Sequence, residues 1–215
     1  MKRGSYGVGR ARREQILEAA TLHFARTGYY GTSLSAIARD IGISINGLMH
    51  HFPTKQHLLV ALADYRFSLF NQWAQEEKGP DEDGLGFLRE TIEMSRRMAA
   101  KPGLIELFVI LACAAADPTS PVHELNRQRY AAVIAIGEEK YKEGVERGVF
   151  QPDIDCEALA RSDIAVSDGL QLQWALSHGG FDLAAAIKTH HEKQLKSIVM
   201  PGVVIDLSPR KKVRT

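Results

Sequence analysis

The chain has 215 residues, 45% hydrophobic and 25% charged, the proportions of an ordinary globular protein; they exclude a disordered or collagen-like chain. The longest mostly apolar stretch, residues 103–116, is interrupted by Glu106 and is shorter than the roughly 20 apolar residues a membrane-spanning helix needs. The formal net charge of +1 hides a segregation: +5 over residues 1–55, −7 over 56–205 and +3 over 206–215. A basic head attracts polyanions, and an acidic body keeps the rest of the surface off the same polymer; chance clustering on solvated helix faces is the plainer account of the same counts. The basic N-terminus runs into glycines and further charge, so it does not read as a secretory signal, and a cytoplasmic location is expected. Cys113 and Cys156 are the only cysteines; without metal or redox spacing they read as free thiols in a reducing compartment.

Apolar positions recur at helical spacing almost throughout, with one possible short extended piece at residues 203–207, so the chain reads as all-α with about nine helices. The first spans residues 10–26, with Ile16, Leu17, Ala20 and Phe24 on one face and Gly28 to end it. Thr32 or Ser33 caps a short second helix through Asp40, and Gly42 permits a tight turn. Ser44 caps a third helix reaching about His51, and Thr54 caps a fourth that runs through Trp73. Longer, more apolar helices follow at residues 85–99, 103–116, 122–147, 156–178 and 183–200. Asp155 and Asp182 stand as caps, and Gly148, Gly179 and Pro201 as terminators. The organisation expected is an arm and helix-turn-helix domain over residues 1–55, a larger helical domain over 56–205 and a basic tail over 206–215.

Ile37-Ala38, Gly42-Ile43 and Leu48 have the spacing of a helix-turn-helix. Ala38 is small where the helices approach, Gly42 can take a left-handed conformation, and Ile37, Ile43 and Leu48 form an apolar seam. This leaves Ile45, Asn46, Gly47, Met49 and His50 on the outer face of the third helix, with none of the lysines, arginines or carboxylates a merely solvated face carries. Such a face suits a DNA groove: Asn46 can pair with adenine, Ile45 and Met49 can touch a thymine methyl, and Gly47 lets the backbone approach. The competing reading packs Ile45 and Met49 against other protein. Thr32 and Ser33 at one helix N-terminus, His50, Thr54 at another N-terminus and Lys55 are the candidate phosphate contacts. The arm, with Lys2, Arg3, Arg10, Arg12 and Arg13 among glycines, reads either as a backbone-tracking or minor-groove segment or, over residues 1–8, as a solubilising tail.

Residues 9–63 resemble the DNA-binding domain of the TetR family of bacterial transcriptional regulators. The resemblance rests on residues 13–20 (REQILEAA), 24–29 (FARTGY), 32–38 (TSLSAIA), Gly42-Ile43-Ser44 with Leu48, 50–55 (HHFPTK) and Leu58-Leu59. It implies a homodimer whose two third helices enter successive major grooves of a double-stranded operator, with Thr32, Ser33, His50 and Lys55 at phosphate. There are two departures from the family pattern. Met49 stands where Tyr is usual, and Asn46-Gly47 where a Gly-Thr pair is usual, so a phenolic and a hydroxyl contact are lost and the operator sequence is left open. The resemblance also implies a C-terminal ligand-binding and dimerisation domain, which residues 168–174 (DGLQLQW) resemble less tightly.

In the body, Leu170 and Trp174 with Ala184, Ala185, Ile187, Leu195 and Ile198 give two helices whose apolar faces can pair with their copies in a four-helix bundle, or can complete the core of one chain. Tyr65, Leu69, Met94, Met98, Leu107, Phe108, Leu111, Cys113 and Tyr130 can together wall an apolar cavity with phenolic handles, although each alone reads as ordinary core. The pairs His50-His51 and His190-His191 lack a spaced ligand set, so no metal and no cofactor are expected. No nucleophilic triad or phosphate loop appears at a recognisable spacing. The leading expectation is a ligand-responsive repressor that is not an enzyme and has no membrane partner. The alternative is a helical small-molecule-binding or catalytic protein whose head contacts protein; activation or architectural binding is a further possibility.

Overall fold

In the computed structural model, which describes residues 3–77, 81 and 83–209 (the side chains of 3–8 and 77 excepted), the described residues form nine helices and no strand. They are α1 (Arg3–Gly31), α2 (Leu34–Asp40), α3 (Ile45–His51), α4 (Lys55–Glu77), α5 (Gly86–Ala100), α6 (Leu104–Ala115), α7 (His123–Glu146), α8 (Cys156–Leu176) and α9 (Leu183–Ile198). Lys2, the Arg3 side chain and the basic residues 210–214 lie outside the described residues. No single described helix is long and apolar enough to cross a membrane.

The expected punctuation is present in atomic detail. Asp155 accepts from the Ala158 amide at 2.9 Å and Asp182 from the Ala185 amide at 3.0 Å, each satisfying a first-turn donor that the helix itself cannot. Gly28 breaks the end of α1 with φ 70° and ψ 175°. The piece at residues 203–207 forms no strand. It is held instead by Arg89 of α5, which donates to the Asp206 carbonyl from Nε at 3.0 Å and from Nη2 at 2.8 Å, while Leu207 is buried. The one bridge nearby pairs Phe150 with Val199.

The chain divides into two compact units, and both are discontinuous in sequence. The first comprises Met1–Leu69 and Lys101–Asn126, the second Phe70–Ala100 and Arg127–Thr215. The expected boundary at residue 55 therefore falls inside the first unit, because α6 returns to pack on α1. Gly103, just before α6, has φ 81°, and a Cβ there would stand 3.2 Å from the Thr21 backbone oxygen and 3.3 Å from the Ala25 Cβ. That close approach fixes how α6 meets α1.

In the second unit α9 packs on both α5 and α8. Its core holds Leu88, Tyr141, Phe150, Leu183, Ile187 and Leu195, all buried. The ring of Phe150 lies across α7 at Gly144, where a Cβ would fall 2.3 Å from two ring carbons. Gly144→Ala should therefore displace that ring. We expect a loss of about 1–3 kcal/mol from overpacking, larger than any gain in helix propensity, measured as a lower urea midpoint at unchanged m-value.

Candidate nucleic-acid interface

The head is built on a turn that only a residue comfortable at positive φ supplies easily. Gly42 has φ 69°, the Ile43 amide reaches back to the Ala38 carbonyl at 2.9 Å, and α2 packs on α3. Ile37, Ala38 and Leu48 are buried as the seam requires, and Ile43 is half-buried. Ser44 caps α3 by accepting from the Gly47 amide at 3.0 Å. A Cβ at Gly47 would press the capping oxygen at 3.2 Å, so glycine both frees the backbone and leaves room for the cap.

With Leu48 turned inward, the opposite side of α3 is open. Asn46, Met49 and His50 are exposed, and Ile45 and Gly47 are half-covered. Phe52 is buried under the guanidinium of Arg13, which sits 5.3 Å from the ring centroid. His51 is half-buried between His50 and the arginines of α1; desolvation first, then the positive charges of His50, Arg12 and Arg13, holds its pKa below the ordinary histidine value.

The flanking polar residues divide into free and committed groups. Ser33 is exposed, and its oxygen caps α2 through the Ala36 amide at 3.1 Å. Thr54 caps the start of α4, taking the His57 amide at 3.3 Å and pairing with its Nδ1 at 2.8 Å. Lys55 is half-buried. Its ammonium donates to the Tyr30 carbonyl at 3.4 Å and lies 4.6 Å from the Tyr29 ring centroid, and desolvation lowers its pKa.

Thr32 differs from expectation. It is 4% exposed, with its oxygen 2.8 Å from the Gly28 carbonyl, 3.1 Å from the His23 carbonyl and 2.7 Å from the Thr27 hydroxyl. The glycine break in α1 strands the Gly28 carbonyl, and the single Thr32 hydroxyl proton goes to it instead of facing outward, while the Thr27 hydroxyl donates to the His23 carbonyl at 2.9 Å. The residue that sequence reasoning passed over is Tyr30, 94% exposed, whose own carbonyl Lys55 holds. Its signal was an aromatic side chain directly after the helix-breaking Gly28-Tyr29.

The residues expected around an effector are spread over both units. In the first, Leu107, Phe108 and Leu111 are buried, Leu69 is half-buried, and the Tyr65 hydroxyl donates to Glu18 at 3.3 Å and meets the Lys101 ammonium at 3.0 Å. In the second, Met94 and Met98 are buried, and the Tyr130 hydroxyl donates to Asp168. Cys113 is exposed and so forms no wall of an apolar core; its helix turns it to solvent after the buried Leu111. Two charged groups join the first unit's interior unannounced by periodicity: Arg66, buried with its guanidinium 4.7 Å from the Phe108 ring centroid, and one buried carboxylate oxygen of Glu106.

Four of the seven residues expected at a dimer interface lie inside their own chain. Ala184, Ile187, Leu195 and Ile198 are buried within their own chain, where α9 packs on α5 and α8. Leu170 and Trp174 are half-buried, and the Trp174 indole lies against Gly179, where a Cβ would meet it at 3.2 Å. Ala185 alone of the set is exposed on α9. Among the described residues of the second unit, the large apolar side chains left open are Leu172 and Leu176 of α8, 43% and 73% exposed, Ile136 of α7, and Met200 and Val204 beyond α9.

A buried-seam helix-turn-helix with an open, uncharged reading face, joined to a helical body, defines a DNA-binding regulator. Comparison with known proteins agrees. Residues 16–62 match the bacterial regulatory proteins of the tetR family, and residues 103–197 match the C-terminal part of BetI-type transcriptional repressors. The chain belongs to the TetR family of transcriptional regulators. It is 26% identical over 159 residues to the HTH-type transcriptional repressor KstR2 of Mycobacterium tuberculosis, covering 72% of this chain and 77% of that protein. It is 25% identical over 194 residues to the HTH-type transcriptional regulator BetI of Pseudomonas fluorescens, covering 86% and 92%. Among solved structures, the SmeT–triclosan complex shares the fold at TM-score 0.77 and 19% identity, covering 95% of this chain and all of that one. A transcriptional regulator from Saccharomonospora viridis in complex with choline does so at 0.76 and 22%, covering 89% and 99%. The function is that of a transcriptional repressor of this family, and the reading in which the head serves only protein contacts is not favoured.

The geometry separates support from contact in the head. Thr32→Val keeps the volume but leaves the Gly28 carbonyl unsatisfied. It should cost about 1–3 kcal/mol of stability, seen as a lower thermal midpoint, while the salt dependence of DNA binding stays at the wild-type slope.

Proposed function

We propose that the chain represses transcription as a two-fold dimer, each copy placing α3 in the major groove of one half of a palindromic operator, with the two helices about 34–36 Å apart or a multiple of that spacing. Ile45, Asn46, Gly47 and Met49 face base edges, Asn46 as the hydrogen-bonding reader and Met49 as an apolar one. Ser33, Tyr30, His50, Thr54 and Lys55 hold the flanking phosphates, and Arg10, Arg12 and Arg13 add positive field. The observation that carries this reading is the exposure of Asn46, Met49 and His50 on a helix whose opposite side is locked by Leu48. Lys55 gives up its hold on the Tyr30 carbonyl for a phosphate, exchanging a neutral acceptor for a charged one.

For the two-fold contact we favour the α8 face bearing Leu172 and Leu176, one turn apart and open to solvent. The release signal is a small organic molecule. Structural neighbours solved with triclosan and with choline support that class. Binding favours a body conformation that moves α4, and the heads lose groove spacing through differential affinity for the two states.

Gel-shift titration against DNA upstream of the chain's own gene tests the reading. Sequence-selective retardation at moderate salt is expected, and its absence would overturn the proposal. Lys55→Ala should weaken binding to all sequences and reduce the salt slope by about 1, while Asn46→Ala should cost about 1–3 kcal/mol on the operator alone.

The dimer face has its own test in light scattering. Leu172→Glu with Leu176→Glu should give a folded monomer that no longer retards the full operator; a persisting dimer would place the interface elsewhere.

A further inference from the structure

We propose that Asp163 of α8 with His190 and His191 of α9 forms a binding site for a divalent transition cation of the zinc or cobalt type, inside the second unit and independent of the DNA-reading head. Adjacent histidines on one helix diverge, and the sequence offers them no near partner. The fold supplies one from 27 residues away. Asp163 Oδ1 lies 3.2 Å from His190 Nε2 and 3.6 Å from His191 Nδ1. Around a tetrahedral cation with bonds of about 2.0–2.1 Å, neighbouring donor atoms stand about 3.3 Å apart, so two edges of a coordination polyhedron are nearly in place. One donor atom from each of the three residues lies within 4.8 Å of the others, and a modest ring rotation closes the third edge.

A second observation points to an occupant. His191 is 1% exposed, and neither ring nitrogen has a hydrogen-bond partner among the described residues. Buried polar nitrogens rarely stay so, and a cation takes the Nδ1 lone pair directly.

The surroundings are those of an oriented ligand set. Tyr141, fully buried, donates its hydroxyl to Asp163 Oδ2 at 2.6 Å, which leaves Oδ1 directed at the histidines; the Gln194 side-chain oxygen stands 3.3 Å from the same hydroxyl. Such an outer-shell bond fixes the orientation of the carboxylate. His190 is 25% exposed and gives the ion a way in. Two imidazoles and one carboxylate leave a fourth position for water or another donor, the donor set that suits zinc and its borderline neighbours rather than calcium or magnesium. The rival is a bare Asp–His hydrogen bond with no ion.

Untagged full-length protein, stripped with chelator and dialysed, is titrated with Co2+ and then with Zn2+. A stoichiometric Co2+ complex is expected, with the intense visible absorption of a low-coordinate site, bleached by an equivalent of Zn2+. His190→Ala should weaken Co2+ binding at least about 10-fold, and Tyr141→Phe, which keeps the buried ring, should weaken it about 10- to 100-fold. His178→Ala should bind as wild type. Absence of stoichiometric binding by the wild-type chain, or a folded His190→Ala protein with an unchanged Co2+ spectrum and affinity, would overturn the proposal and leave only the hydrogen-bonded pair. Neither result depends on whether the chain binds DNA.

Discussion

A helix of seven residues does not hold its shape alone in water, because the cost of nucleating the first turn is never recovered over so short a run. Everything the head does therefore depends on the packing of α3 on α2 through Leu48, Ile37 and Ala38, all closed to solvent. The seam fixes the crossing, Gly42 turns the chain into it, and the Ser44 cap satisfies a first-turn amide. Because these three devices define the helix from its inner side and its ends, the outer side is free to vary. Asn46 and Met49 can depart from the family pattern without touching the fold, whereas Gly47 also leaves room for the Ser44 cap, so at Asn46 and Met49 operator preference and stability are separable.

The same logic explains the hydroxyls around it. A helix end leaves unsatisfied backbone groups, and the nearest Ser or Thr is recruited to them before any partner arrives. Thr32 is fully spent on the broken end of α1, Thr54 is engaged at the start of α4, and Ser33 caps α2 while remaining exposed. Ser33 can therefore cap a helix and meet a phosphate in one position, whereas Thr32 cannot. Lys55 is intermediate. Its charge rests on a carbonyl and an aromatic face, both weaker partners than a phosphate, so it is held ready without being neutralised.

What the sequence made legible were the features whose partners are local. Caps, glycine stops and the helix-turn-helix spacing are decided within a few residues, so Ser44, Asp155, Asp182 and Gly28 are found where their chemistry placed them. Partner choice over long separations was not legible. An apolar stripe on α9 says that the helix buries a face but not against what, and Ala184, Ile187, Leu195 and Ile198 turned out to lie inside their own chain. Cys113 reads as one more residue of an apolar helix, yet helical phase puts it outside. Asp163 is an unremarkable acid in α8 until the fold sets it against His190 and His191.

The charge segregation acquires a physical sense once the helices are placed. The basic residues of the first 55 positions that are described are not spent on pairing with one another's neighbours in the core; Arg10, Arg13 and Arg39 lie at the surface, and Arg13 also covers Phe52. Some carboxylates of the acidic body pair along their own helices, as with Glu138 and Lys142 or Glu157 and Arg161. Exposed pairs of that kind contribute little to stability, but they mute the local field of the body. The net positive field stays with the head, which is the part that must find a polyanion, and its strength falls with salt as a backbone-reading interaction requires. Specificity then comes from a face with almost no charge at all, so approach and recognition are carried by different residues of one small unit.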